Sequence, residues 1–331
     1  MTHRVKHEFL LHAGREGDRL DKLITHAAQL LPESERPKEL SSRSQVARLI
    51  ETGCVTLRGK IQDKPGLLIE GQERVQISVE VKSLDALAPD PNIPLEVIYA
   101  DEDLAVINKQ AGLVVHTGAG VKSSTLVNAL ISHFGESIKR VGSDLRPGIV
   151  HRLDKDTSGL MVVALNQTSY QNLIKQFSSR SISRTYYALV ETLPRTGPEI
   201  DAPIGRDQKN RVKMAVARQG GKSAVSLWKV EEELKHGYLL EVKILSGRTH
   251  QIRVHLKHVG APIVGDQTYG SLSGMRAPKP IKDAVKAFGR QALHAAALEL
   301  IHPRSGEKCA WKIHLPADME FLVNLFREGI S

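Results

Sequence analysis

The stretch HRLDKDTSGLMVVA, His151 to Ala164, sets a charged loop directly before an apolar run. Such an arrangement places Asp154 at the mouth of a buried strand, held by a rigid element. A carboxylate there can be a nucleophile, a general base or a metal ligand. The same residues admit a plainer use, with Asp154 or Asp156 closing a turn or pairing with Arg152 or Lys155. A second stretch, LSGRTHQIRVHLKHVG, runs from Leu245 to Gly260. Its strand ends at Ser246-Gly247, and a helix opens with Arg248. If the two strands are neighbours, Arg248 reaches the same sheet edge as Asp154. A guanidinium there keeps a carboxylate ionised and fixes its orientation. Otherwise Arg248 is an arginine on a solvated helix. In SRTYYALV, Tyr186 and Tyr187 are consecutive strand residues, so only one can face a site on one side of the sheet. Both can equally serve the core.

Other chemistries find less support. His250, His255 and His258 fit no HExxH pattern, and no cysteine pair lies near them. Neither a Walker sequence nor GxGxxG occurs, so nucleotide cofactor binding has no motif behind it. The two cysteines, Cys54 and Cys309, stand far apart, which suits a reducing cytosol and gives no disulfide framework. No apolar run approaches the roughly 20 residues of a membrane helix. Residues 206–222, RDQKNRVKMAVARQGGK, carry six basic residues and one acidic one. Lys209, Arg211 and Lys213 there suit a hairpin arm pressing on phosphates, or else a solvated loop.

These residues need elements to hold them. The 331 residues suffice for two domains with real cores. Residues 1–16 read as a polar tail. Leu20, Leu23, Ile24 and Ala27 recur at helical spacing, and Ser41 or Ser42 can cap a second helix bearing Val46, Leu49 and Ile50. Val55-Thr56-Leu57 and the alternation Val75, Ile77, Val79 read as strands. The stretch 81–94, with Pro89, Pro91 and Pro94, is the linker candidate. From residue 95 onward, strands are expected at Leu104–Ile107, Gly112–Val115, Leu160–Ala164, Tyr186–Val190, Ala224–Val230 and Tyr238–Leu245. Tyr170, Leu173, Ile174 and Phe177 form an amphipathic helical stripe, and Ile252, Leu256 and Val259 another. The order predicts an α+β fold with a mixed, mainly antiparallel sheet. Charge divides along the same line. Residues 1–90 carry 14 basic and 14 acidic residues, and residues 91–331 carry 32 and 23. The whole excess of +9 sits in the larger part, which favours a polyanionic partner.

Taken together, HRLDKDTSGL, RTYYALV and LSGRTHQIRVHL resemble the nucleophile, tyrosine and arginine motifs of the pseudouridine synthases of the large ribosomal-subunit type. A fourth block, YADEDLAVINKQAGLVVHTGAG from Tyr99 to Gly120, resembles that family's opening strand and turn, with Gln110 and Thr117 where prolines are usual. The resemblance runs from about Leu95 to the C-terminus. Residues 17–80 resemble the small RNA-binding module named after the fourth protein of the small ribosomal subunit, carried by Arg19-Leu20-Asp21-Lys22-Leu23 and Ser42-Arg43-Ser44-Gln45-Val46. The resemblance implies isomerisation of uridine to pseudouridine in RNA, most like members acting on large-subunit ribosomal RNA or a pre-ribosomal particle. It implies Asp154 as nucleophile, Tyr186 against the base, Arg248 paired with Asp154, and Arg152 filling the space of a flipped uridine. Arg19, Lys22, Arg43, Ser44, Arg48 and Lys60 would bind RNA. No cofactor and no metal are required, and the expectation is a cytoplasmic monomer. The alternatives are a non-catalytic ribosome-assembly factor, a synthase acting on transfer RNA, and a glycoside hydrolase, which would want two carboxylates.

Overall fold

The computed structural model describes residues 2–14, 17–31, 40, 42–82, 87–116, 124–143, 146–208, 210, 213–217 and 219–329. The chain forms two compact units, residues 1–86 and 87–331.

In the first unit, β1 (Thr2–His12) and β2 (Asp18–Arg19) lead to α1 (Leu20–Gln29) and α2 (Arg43–Glu51). Strands β3 (Val55–Leu57), β4 (Lys60–Gln62), β5 (Leu68–Ile69) and β6 (Gln72–Lys82) follow. Four of them build an antiparallel sheet in the order β1-β6-β3-β4. The helical stripe buries Leu20, Ile24 and Ala28, which meet Val46 and Ile50 of α2 over Val55, Val75 and Ile77 of the sheet. Ser42 caps α2 by accepting from the Gln45 N–H. The expected tail over residues 1–16 is corrected by β1, which pairs with β6 along its whole length. Period-two alternation turns Phe9 and Leu11 inward, and Leu11 enters the core. The polar stretch Pro32 to Lys38 lies outside the described residues.

The second unit opens with a correction as well. Residues 87–94 of the expected linker are packed rather than free. Leu87 is buried in the larger core, and the Asn128 amide donates to the Ala88 carbonyl at 2.7 Å. Residues 83–86 lie outside the described residues. The elements then run β7 (Glu96–Ala100), β8 (Leu104–Lys109), α3 (Leu126–Phe134), β9 (Gly142–Ser143), β10 (Arg146–Pro147), β11 (Ser158–Ala164) and α4 (Gln167–Ser178). Next come β12 (Ser183–Val190), β13 (Glu199–Asp201), β14 (Ile204–Arg206), β15 (Met214–Val216), β16 (Val225–Leu234) and β17 (Gly237–Ile244). The chain ends with α5 (Gln251–His258), α6 (Lys279–Phe288), β18 (Leu293–Ile301), β19 (Lys308–Lys312) and α7 (Ala317–Glu328). Gly112–Val115, expected as a strand, is a turn and irregular chain. The Val114 and Val115 carbonyls instead accept from the Leu126 and Val127 N–H groups at the start of α3, at 2.9 and 3.1 Å.

A nine-stranded sheet runs β13-β16-β17-β12-β18-β11-β8-β7, with β19 beside β18. Among its described pairings only β11 with β18 is parallel. All seven residues of β11 are buried, and each large aliphatic side chain so buried is worth about 1.5–3 kcal/mol. The parallel contact depends on Gly159. Its φ is +115°, and a Cβ there would lie 2.3 Å from the Ala295 carbonyl oxygen. Only glycine permits that approach, and the approach anchors the loop carrying Asp154 just upstream.

Candidate active site

Asp154 lies on the loop that feeds β11, and three buried donors staple that loop in place. The Lys109 ammonium, 1% exposed at the end of β8, donates to the Gln110, Leu113 and Lys155 carbonyls at 2.8, 3.0 and 2.9 Å. Burial pulls Lys109 down to about 7, with Asp156 and Asp154 opposing the fall. The Arg290 Nη1 donates to the Asp156 carbonyl at 3.3 Å, and the Gln291 amide to Thr157 Oγ1 at 3.0 Å. None of these bonds uses the Asp154 carboxylate, which is left for chemistry.

The guanidinium on Asp154 is that of Arg253, not Arg248. Arg253 Nη1 donates to Asp154 Oδ2 at 3.1 Å, while its Nε and Nη2 donate to both oxygens of Asp266 at 2.7 and 2.9 Å. The Asp266 side chain is fully buried. Burial disfavours charge on Arg253, yet the bonds and charges of Asp266 and Asp154 prevail and raise its pKa. Burial likewise opposes the Asp266 charge, and Arg253 with the Tyr269 and Thr268 N–H groups lowers its pKa nonetheless. The pair is therefore ionised, and Asp154 receives a fixed cation.

Arg248 stands beside the same cleft with its Nε donating to the Ser223 carbonyl at 3.1 Å. The expected Arg248–Asp154 pair is thus corrected. The chain turns through a left-handed residue at His250, φ 56° and ψ 23°, before α5 begins. Arg248 precedes that turn, whereas Arg253 sits within the first helical turn and faces inward. Sequence reading missed Arg253, Asp266 and Lys109. The signal for Arg253 was its place between Ile252 and Leu256, which bury the same helix face.

A cleft of about 480 Å³ surrounds Asp154. Tyr186 of β12 lines it, and Tyr187 does not. Tyr187 points away, with its hydroxyl donating to Glu231 and Lys312 over its ring. Burial raises the Tyr186 pKa, with Asp154 adding and Arg184 opposing, so the phenol keeps its proton at neutral pH. A bulge in the β12–β18 pairing falls at Thr185/Tyr186, where strand irregularity re-aims a side chain. On the outer wall, Phe177 stacks on His151 with centroids 4.8 Å apart, and Arg184 lies over the Phe177 ring. Arg152 is exposed at the rim. Among the described lining residues there are five arginines (Arg152, Arg180, Arg184, Arg248 and Arg253) and one carboxylate, Asp154. Asp156 is not among them.

The other expected contacts are scattered. In the first unit, Arg19 and Arg43 converge on buried Asp21 at 3.0 and 3.1 Å. Burial works against the Asp21 charge, but the two arginines hold its carboxyl below the usual range. Lys22 pairs with Asp18, Ser44 Oγ lies 3.2 Å from Ser42 Oγ, and Arg48 and Lys60 are exposed. Lys213 donates to the Thr268 carbonyl at 2.9 Å, which ties the β14–β15 hairpin to the segment after α5. Lys209 and Arg211 lie outside the described residues. Asp101, Asp103 and His302 bring possible ligand atoms within 4.8 Å of one another. Their oxygens are engaged by Tyr99, Asn166, Ser169, Arg304 and backbone N–H groups, so the cluster works as a hydrogen-bonded corner.

Comparison with known proteins identifies the family. The sequence model described as RNA pseudouridylate synthase matches residues 103–258. Ribosomal large subunit pseudouridine synthase D of Pseudomonas aeruginosa is 42% identical over 314 residues, covering 94% of this chain and 93% of that protein. The protein of the same name from Zymomonas mobilis is 40% identical over 286 residues, covering 86% and 89%. Among solved structures, human RNA pseudouridylate synthase domain containing 1 superposes with a TM-score of 0.51 at 27% identity, covering 71% of this chain and 86% of that one. The domain containing 4 protein gives 0.52 at 25% identity, covering 69% and 93%. With its aspartate, tyrosine and arginine gathered in one cationic cleft, the chain belongs to the RNA pseudouridylate synthase family.

Proposed function

We propose that the protein isomerises specific uridines to pseudouridine in large-subunit ribosomal RNA, with Asp154 as the nucleophile. The observation that carries this reading is a cleft with one carboxylate among five arginines, counting the described residues. A phosphodiester chain suits the arginines, and a single carboxylate held by Arg253 suits covalent catalysis. Two-carboxylate hydrolysis would need a second acid in the cleft, and none lines it among the described residues. In the reaction the glycosidic bond breaks, the uracil turns, and its C5 joins the ribose. The hydrogen lost from C5 leaves to solvent as the freed N1 gains one, so substrate and product are isomers. The target base must leave its stack at a cost of a few kcal/mol, and Arg152, exposed beside the cleft, is read as stacking in its stead. The unit before residue 87 is read as an RNA-binding module that adds affinity through Arg19, Arg43 and their neighbours. The relatives' activity on the large ribosomal subunit supports the choice of RNA, and the protein is read as a cytoplasmic monomer.

The test is pseudouridine mapping of all stable RNA from cells with and without the protein. Loss of one or more pseudouridines from large-subunit ribosomal RNA is expected. Loss from transfer RNA alone would move the substrate, and unchanged maps with free uracil released in vitro would end the isomerase reading.

The two tyrosines provide an internal comparison. Tyr186→Phe is expected to lower turnover by about 100-fold or more if its hydroxyl moves or orients a proton, with RNA affinity nearly unchanged. Tyr187→Phe, on the opposite face, is expected to alter turnover by less than about threefold. Single-turnover rates measured side by side decide the matter, and equal losses would put the wrong face toward the substrate.

A further inference from the structure

Next to Asp154 stands a histidine that the reaction as described does not use. His250 Nε2 lies 3.9 Å from Asp154 Oδ2 and lines the cleft. That distance is too long for a hydrogen bond. Among the described residues nothing else bonds to Nε2, and it is not among the buried unpartnered atoms, so it is open to the cleft. The other ring nitrogen is occupied. His250 Nδ1 lies 2.8 Å from the Tyr269 hydroxyl, and that oxygen already accepts the Met214 N–H at 3.0 Å.

These contacts fix where the proton sits. The Tyr269 oxygen accepts from Met214, and among the described residues its own hydrogen has one acceptor within reach, His250 Nδ1. Burial lowers the His250 pKa and favours the neutral ring, with Asp154 opposing and Arg253 assisting. A neutral imidazole that accepts at Nδ1 carries its hydrogen on Nε2. The ring therefore presents one N–H donor to the cleft beside the nucleophile. The backbone at His250 has φ 56°, unusual for a residue other than glycine. Strain of this kind persists where the surroundings hold the side chain to a task.

We propose that His250 is a catalytic residue whose Nε2–H donates to a uracil carbonyl oxygen, and that Tyr269 acts through it by fixing the tautomer. Negative charge builds on the uracil oxygens whether the carboxylate adds to the base or displaces it from the sugar. A preorganised donor at that point stabilises the transition state more than the bound substrate. No proton is transferred in this step, so the isomerisation balances as before. Met214 belongs to the β14–β15 hairpin, whose basic residues are expected to meet RNA. The same chain of bonds thus links a docked hairpin to the orientation of His250. The inference rests on the uridine isomerase reading above.

Single-turnover rates on one ribosomal RNA fragment test it, using the full chain and four variants. His250→Gly removes the ring and relaxes the left-handed backbone, and is expected to slow the reaction about 100-fold, with RNA affinity nearly unchanged. His250→Gln keeps an N–H donor and is expected to recover much of that loss. Tyr269→Phe keeps the ring over which Arg253 lies at 5.1 Å, so only the hydroxyl is lost. It is expected to slow the reaction by less than His250→Gly. The double variant His250→Gly/Tyr269→Phe should be no slower than His250→Gly alone, because Tyr269 has nothing left to orient. A rate for His250→Gly within threefold of the unaltered protein would overturn the proposal, as would additive losses in the double variant. If the unaltered protein makes no pseudouridine from any RNA, the isomerase reading itself fails, which is a different result.

Discussion

Asp154→Asn is expected to abolish turnover, by roughly 10⁴-fold or more, as removal of a sole nucleophile does. The loop should survive the change. Its anchors are the Lys155 and Asp156 carbonyls and Thr157 Oγ1, held by Lys109, Arg290 and Gln291. None of these bonds involves the Asp154 carboxylate. Asparagine keeps the size of the side chain, and its amide oxygen can still accept from Arg253 Nη1. RNA affinity should stay within about threefold, or rise slightly, because five arginines remain and a negative charge in the cleft is gone. Release of tritium from RNA labelled at uracil C5 reports the chemistry, and filter binding reports affinity. Turnover above one part in a hundred by a pure variant would remove Asp154 from the nucleophile's role. Loss of binding together with turnover would mean that the carboxylate shapes the cleft.

Much of the framework around this site was legible in the sequence because it is local. The run LMVVA has no polar interruption and becomes the buried strand β11. Tyr186 and Tyr187 alternate across the sheet as any strand pair must, and the α4 stripe packs where its spacing requires. The parts that escaped depend on partners far along the chain. β1 pairs with β6 some seventy residues later, and its polar outward residues hid the alternation of His7, Phe9 and Leu11. Prolines 89, 91 and 94 suggested a free linker, but proline is equally at home in a segment with a turn at Pro91 that is pinned to a helix. Lys109 ends an apolar strand, and no pattern in the sequence marks its ammonium as buried. Only the return of the Asp154 loop shows that three carbonyls bury it. The choice between Arg248 and Arg253 was a matter of one turn. Both arginines occupy a single motif, and the left-handed backbone at His250 decides which one points inward.

That choice leads to the other large effect. Arg253→Met is expected to lower turnover about 100-fold or more, because Asp154 loses the cation that orients it. It should also destabilise the larger unit by about 3–5 kcal/mol, since Asp266 would be left fully buried without its partner. The two consequences can be separated. Adding Asp266→Leu removes the stranded charge and replaces a buried ion pair by apolar groups, a change that is often neutral for stability. The double variant should therefore regain part of the thermal stability, less the cost of the Thr268 and Tyr269 N–H groups that lose Asp266 as acceptor, while turnover stays low. Arg248→Gln gives the contrast. Its guanidinium holds the Ser223 carbonyl and faces the cleft, so weaker RNA binding is expected, with the rate on bound RNA within about threefold. Thermal unfolding, RNA affinity and single-turnover rate, measured on all three variants, distinguish positioning from folding. If Arg248→Gln matched the rate loss of Arg253→Met, the pairing role would belong to Arg248 once RNA is bound. If the double variant recovered turnover along with stability, Arg253 would matter only for folding. The geometry argues against both outcomes, because one guanidinium spans Asp154 and Asp266 through separate nitrogens. Neutralising the buried carboxylate leaves the need at the reactive one unchanged.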